Sequence, residues 1–299
     1  MAYKSLEEYS WKDLNWANAG FLVMSPVIAI AGLIWWFWSA SANWNTAILA
    51  LVIVSLAEIS ITAGYHRLFS HRAYDANFIV KIVFLIFGAA ALQGSALMWS
   101  LDHRNHHRYV DDNEKDPYSI NRGFWWAHML WLFFKANDQV ETVKAPDLYK
   151  DKLVMLQDKC WVFVGFAAGF FLPMYLGSLW GDMWGGLLIA GVLRSVVNHH
   201  STFLINSLSH CVGDQTYSNT HTARDNWFTA LLTFGEGYHN FHHEFPSDYR
   251  NGVRFYHFDP TKWLIRGLSF IGFTYNLKRV EASLIKTKRE HMTTLRRAG

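Results

Sequence analysis

Residues Gly235 to Pro246 read GEGYHNFHHEFP, and the histidines in that stretch, His239, His242 and His243, stand in the spacing H-x-x-H-H. The same spacing recurs in DHRNHHR as His103, His106 and His107, and a looser pair, His66 and His71, sits in GYHRLFSHR. On a helix, residues three and four apart share a face, so each H-x-x-H-H box can aim three imidazoles at one point. His66 and His71 are five apart, about 140° around a straight helix, which suits a helix end that unwinds between them. Neutral imidazole is a common transition-metal ligand, and these boxes hold eight of the fifteen histidines. Two such boxes arise by chance in roughly one chain in a thousand of this size, so the spacing predicts a metal site rather than scattered surface histidine.

Working outward, the 299 residues are 51% hydrophobic and only 17% charged, with 15 Trp and 22 Phe, a balance too apolar for an ordinary soluble domain. A net charge of +3 is too small to argue for nucleic acid, so the basic residues call for a topological explanation. Cys160 and Cys211 form no C-x-x-C pair, which excludes a cysteine-ligated cluster and fits a reducing compartment.

Phe21 to Trp38 carry no charge and are long enough to span a bilayer. Ala40-Ser41-Ala42 resembles a signal-peptide cleavage site, but the stretch ahead (Lys4, Glu7, Glu8, Lys12, Asp13) is not a basic leader, so a retained helix is expected. Ala47 to Ala63 form a second apolar run broken only by Glu58, whose carboxylate should face protein or a cavity. Trp161–Leu179 and Trp184–Leu208 are the last two, and the Arg194, Asn198, His199 and His200 of the second should face inward. Phe78 to Trp99 are apolar as well, but a crossing there would put His66 and His71 on the opposite side from His103–His107; it is read as one helix that stays on the histidine side. Ser39–Asn45 and Gly177–Met183 lack Lys and Arg whereas the other connections and both tails are basic, so both termini and all boxes are assigned to the cytoplasm.

The expected fold is an all-α, multi-pass integral membrane protein: four transmembrane helices in two hairpins, with a cytoplasmic helical domain holding the histidine site. It forms a single domain over 1–299, with spans at about 21–38, 47–63, 161–179 and 184–208, and cytoplasmic parts 64–160 and 209–299. Gly123–Phe134 and Lys262–Tyr275 suit the membrane interface, Leu277–Arg297 suits a basic surface helix, and His128 suits packing or hydrogen bonding.

The set GYHRLFSH, DHRNHHR followed by DPY, and GEGYHNFHHEFPSDY closely resembles the membrane fatty-acyl desaturases of the Δ9, stearoyl-CoA desaturase-like group, from about residue 20 to residue 280. The resemblance extends to NSLSH, Asn206 to His210, and implies a ninth histidine ligand at His210, which spacing alone would assign to a cap or the core. It implies two Fe ions, one held by His66, His71, His107, His239 and His243, the other by His103, His106, His210 and His242 with Asn206 through water. Imidazole spacing would equally suit zinc or copper; oxidising an unactivated methylene pair with dioxygen selects iron. No catalytic residue is expected beyond the ligands. Asp102, Asp116 and Glu236 are candidates to orient ligand histidines, or plain salt-bridge partners.

The implied activity is oxygen-dependent insertion of a cis double bond, at Δ9, into a long saturated acyl-CoA or acyl-lipid, bound in a bent tunnel shaped by Gln93, Trp99 and Thr202. Leu101 stands where animal enzymes have an arginine near the CoA phosphates, which weakens the case for CoA over a lipid carrier. The sequence has no H-P-G-G haem-binding core and no G-x-G-x-x-G, so an external electron donor, a ferredoxin or a cytochrome b5-like protein with its reductase, is implied. The membrane is then a bacterial inner membrane or, in a eukaryote, the endoplasmic reticulum. Histidine-box hydroxylases of alkyl chains share the pattern and are separated by product analysis. A metal transporter would place its ligands near the membrane midplane rather than beyond span ends.

Overall fold

Asn15 accepts a hydrogen bond from the Asn18 backbone N–H and starts α1, Trp16–Trp38, in the computed structural model, which describes residues 8–135 and 143–298. Lys4 and Glu7 of the polar leading stretch lie outside the described residues. The buried line of α1 is mostly small, with Ala19, Ser25, Ala29 and Gly32, while Val23, Val27, Ile30 and Ile34 face outward. Small residues inward and branched aliphatics outward is the pattern of a helix in lipid, where close backbone approach holds helices together. At Gly32 a Cβ would stand 3.1 Å from Leu188 Cβ, so glycine sets the approach to that later helix.

The second long helix, α2, is Trp44–Ser70, and its last stretch, Ser60–Ser70, is wound as a π-helix. Then come α3, Phe78–Ala90, and α4, Ala96–Tyr109. Two short helices follow, α5, Phe124–His128, and α6, Pro146–Lys150, before the long α7, Lys152–Ser178. The next helix, α8, covers residues 183–211 as Met183–Leu187, a π-turn Leu188–Leu193 and Arg194–Cys211. Of these, α1, α2 and α7 are long and apolar enough to cross a membrane. They begin earlier or end later than the expected 21–38, 47–63 and 161–179, because the helices continue past the apolar runs into polar sequence. α8 is interrupted by polar side chains, but they point inward. Arg194 donates to Ala90 O at 2.8 Å and Gly169 O at 2.7 Å, and Asn198 Nδ2 donates to Glu58 Oε1 at 2.8 Å. Between α7 and α8 the buried Asp182 accepts from Trp36 Nε1 at 2.7 Å and Thr46 Oγ1 at 2.6 Å, tying that connection to α1 and α2.

The apolar run 78–99 is not one helix. α3 stops after 13 residues, short of the ~20 a crossing needs. Leu92 and Gly94 then take φ of 54° and 98°, a left-handed corner that turns the chain back, and Ser95 caps α4. The break is stabilised by the Arg194 bond to Ala90 O, which satisfies a carbonyl left open at the end of α3.

Past α8 the chain builds a cap from α9, Trp227–Leu232, α10, His239–Glu244, α11, Pro260–Phe270, and α12, Ala282–Ala298. Strand β1, Asp75–Ala76, pairs antiparallel with β2, Thr274–Tyr275, anchoring this cap to the start of α3. Exposed Trp263 and Phe270, with Ile271 just after the helix, give α11 the apolar face expected of an interface helix, and exposed Trp125 does the same for α5.

The return of the chain before α4 has a direct test. Single cysteines at the exposed Asp75 and Glu114, with Cys160 and Cys211 changed to serine, are expected to react with an impermeant maleimide from the same membrane face. Reaction from opposite faces would mean that α3 crosses.

Candidate metal centre

Helix geometry distributes the histidines. In the π-wound end of α2 the His71 N–H donates to His66 O at 3.0 Å, so residues five apart come onto one side, with ring centroids 4.8 Å apart. The helix widens between His66 and His71 rather than unwinding. In α4, His103 and His107 are one turn apart with centroids 4.6 Å apart, and in α10 His239 and His243 stand at 4.5 Å. His106 and His242 are each one residue from the i+4 member, about 100° around the helix, and point elsewhere.

Each H-x-x-H-H box is therefore split between two groups rather than aimed at one point, while His66 and His71 stay together. His66, His71, His103, His107 and His242 form one group, and His106, His210, His239 and His243 the other; in each, the ligand atoms lie within 4.8 Å of one another. This corrects the division implied by the resemblance: His103 and His242 belong with His66, His71 and His107, while His239 and His243 belong with His106 and His210. The i,i+4 pairs stay together because they share a helix face, and each i+3 member crosses to the other group.

The closest approaches are all between Nε2 atoms. His242 lies 3.0 Å from His66 and 2.9 Å from His107, and His71 lies 2.8 Å from His103. His243 lies 3.3 Å from His106 and 3.1 Å from His239, which is 3.2 Å from His210. A ring nitrogen has one proton or one lone pair, so it serves one hydrogen-bond partner. His242, His243 and His239 each meet two, so these contacts are not a hydrogen-bond network. Nitrogens ~2.1 Å from one ion at right angles would stand ~3.0 Å apart, which the spacings match. Burial, reinforced by the neighbouring rings, holds His71, His103, His107, His239, His242 and His243 well below the ordinary histidine range, so they are neutral and their lone pairs are free. The donor set fits a pair of transition-metal ions.

Two of the three expected carboxylates hold histidines of the two groups. Glu236 Oε2 takes His66 Nδ1 at 2.7 Å, and Asp116 takes His106 Nδ1 at 2.9 Å, leaving each Nε2 bare for a metal. Burial alone would raise the Glu236 carboxyl, but His66 and Arg67 bring it down to about 2. Asp102 does not join them. It faces the cavity beside the histidines, where enclosure by protein pushes its carboxyl up to about 7; because its surface is open to that cavity, the rise is full only when the cavity is dry. Tyr118, from the DPY segment, stacks on His106 at 4.4 Å, a contact that spacing did not reveal.

A cavity of about 370 Å³ is lined by Tyr9, Trp131, Lys135, Glu58 and His199 and by histidines of both groups, His66 and His103 from one and His106 and His239 from the other. Gln93, Trp99 and Thr202 all line it, and they are one unit: Gln93 Nε2 donates to Thr202 Oγ1 at 2.8 Å, and Trp99 Nε1 to Gln93 Oε1 at 3.3 Å. Trp99 also stacks on His103 at 4.9 Å, linking the cavity wall to the five-histidine group. Asn206 lines the cavity one turn before His210. His128 is structural, as expected, with Nδ1 2.9 Å from Ser207 Oγ and Nε2 3.1 Å from His200 Nδ1.

The family model described as fatty acid desaturase matches residues 41–276. The chain is 43% identical over 269 residues to the "Probable acyl-CoA desaturase" of Schizosaccharomyces pombe, covering 89% of this chain and 55% of that protein. It is 39% identical over 281 residues to "Acyl-CoA desaturase 1" of Saccharomyces cerevisiae, covering 92% and 54%. The "sn-2 palmitoyl-lipid 9-desaturase" of a Nostoc species is 34% identical over 267 residues, covering 87% and 89%. The chain thus spans about half the length of the two yeast relatives.

Proposed function

The chain belongs to the fatty acid desaturase family, and from that premise we propose that it inserts a cis double bond, at Δ9, into a long saturated fatty acyl-CoA. The observation that carries the reading is that histidines of both groups line one cavity. Iron in both groups would supply an oxidant made from dioxygen, strong enough for an unactivated methylene pair. The overall change takes two hydrogens from the acyl chain and, with two electrons and two protons from outside, reduces dioxygen to two waters.

The chain's own residues do the positioning. The five-histidine and four-histidine groups would each hold one iron, with Asn206 beside the second through water. Glu236 and Asp116 keep the His66 and His106 rings fixed, so no reorganisation is needed when metal binds. The linked Gln93, Thr202 and Trp99 side chains bend the acyl chain at the wall next to His103. Electrons come from a ferredoxin or a cytochrome b5-like donor. α8 serves as the fourth crossing, its polar side chains satisfied by α2, α3 and α7, and both histidine groups lie on the cytoplasmic side with the two termini.

A second reading, action on acyl chains held in a lipid, is favoured by Leu101 and by the name of the Nostoc relative. Expression in a desaturase-deficient host, with fatty acids and lipids analysed by mass spectrometry, tests both. A Δ9-unsaturated product and two irons per purified chain are expected. A chain that carries a single zinc as its active metal, or makes only hydroxylated products, would sink the proposal.

A further inference from the structure

The turn after α4 reaches the four-histidine group twice. Asp116 takes His106 directly. Asp111 approaches His210 through a hydroxyl: Thr222 Oγ1 lies 2.6 Å from Asp111 Oδ1 and 2.8 Å from His210 Nδ1, while the Thr222 backbone N–H donates to Asp111 Oδ2 at 2.8 Å. A threonine hydroxyl has one proton to give, and a carboxylate only accepts. The hydroxyl proton therefore goes to Asp111, and the Thr222 oxygen accepts from His210 Nδ1–H. That leaves the lone pair on His210 Nε2, the atom 3.2 Å from His239 Nε2 inside the group.

We infer that Asp111 and Thr222 are positioning residues that fix the tautomer of His210, and so make it a ligand. The inference rests on the four-histidine group being a metal centre. The backbone around Asp111 is held for this purpose. Its φ is 69°, a left-handed conformation that Asp and Asn tolerate better than other side chains. Its N–H donates to Asp116 Oδ2 at 3.2 Å, and Asn121 Nδ2 donates to its carbonyl at 2.9 Å. Both outer carboxylates of this group are thereby locked on one turn. His239 Nδ1 is buried with no hydrogen-bond partner among the described residues, so that ring receives no comparable help.

The test is metal titration of the purified full-length chain, with cobalt(II) and its ligand-field absorption as the probe, and iron content as a second readout. Thr222→Val keeps the shape and removes the relay; it is expected to weaken one of the two metal sites by about 10–100-fold and leave the other unchanged. Thr222→Ser should restore both. Asp111→Asn suits the left-handed backbone but has one acceptor oxygen. If that oxygen takes the Thr222 N–H, the amide donates to the hydroxyl, the hydroxyl donates to His210 Nδ1, and the ring proton moves to Nε2. The same selective loss is expected. Wild-type affinity at both sites in Thr222→Val overturns the inference while the proposed function stands; so does a Thr222→Ser chain as weak as Thr222→Val. A wild-type chain that takes up no second metal overturns both.

Discussion

Glutamine in place of Glu236 is expected to weaken metal binding at the five-histidine group by about 10–100-fold and to destabilise the metal-free fold by roughly 3–5 kcal/mol. Glu236 is 2% exposed, and its two oxygens serve three side chains. Oε2 takes His66 Nδ1 at 2.7 Å and Asn251 Nδ2 at 2.7 Å, and Oε1 takes Arg67 Nη2 at 2.8 Å and Nε at 3.2 Å. Glutamine has one oxygen for these donors, so its N–H2 must face either the guanidinium or the His66 and Asn251 pair. Arg67, 1% exposed, would keep Asp259 and the Tyr249 carbonyl but lose half of its carboxylate pairing. The effect has a pH signature. The folded carboxyl sits at about 2, below the ~4.3 of an unfolded glutamate, so its contribution is complete above ~4.3 and is lost as pH falls through 2. The stability gap between wild type and Glu236→Gln should therefore be widest near neutral pH and close in acid. Thermal unfolding of metal-stripped protein, with metal uptake measured in parallel, reads both effects. An unchanged melting temperature together with two bound irons would refute the assigned role.

The boxes were legible because their chemistry is written in residue type and spacing. H-x-x-H-H is readable on any helix, and the long apolar runs announce α1, α2 and α7. What spacing left open was the direction of each ring. Only the helix phase shows that His103 goes with His107 and His239 with His243, and the i+3 members cross between groups. The π-winding of Ser60–Ser70 was equally hidden, since i→i+5 bonding leaves no residue signature, and it alone brings His66 and His71 to one side. The break at Leu92–Gly94 is hidden in the sequence for another reason. Apolar composition continues through it, and the partner that stabilises it, Arg194, lies 104 residues away. Asp102 misled because adjacency to His103 in sequence places it on a different helix face. Glu236 and Asp116 are readable as candidates beside the boxes, but the role of Asp111 is not, because its link to His210 runs through a threonine from a distant segment.

His210, which the resemblance implies as a ninth ligand, stands in the four-histidine group. As a mere core or capping residue, its replacement by alanine would lower stability and leave both metals in the folded remainder. As a ligand, His210→Ala should abolish turnover and strip mostly one of the two irons, because a four-ligand group loses a quarter of its donors while the five-histidine group is untouched. His200 is the matched control. It lies on the same helix, half-buried, with its Nδ1 engaged by His128 Nε2 at 3.1 Å rather than by any ring of the two groups. His200→Ala should disturb that pairing and the local packing against Phe203 while both irons remain. Iron analysis and fatty-acid products of the two variants, compared side by side, separate a ligand from a packing histidine. Full iron with normal turnover in His210→Ala would remove the ninth ligand, and with it the reason for Asp111 and Thr222 to be arranged as they are.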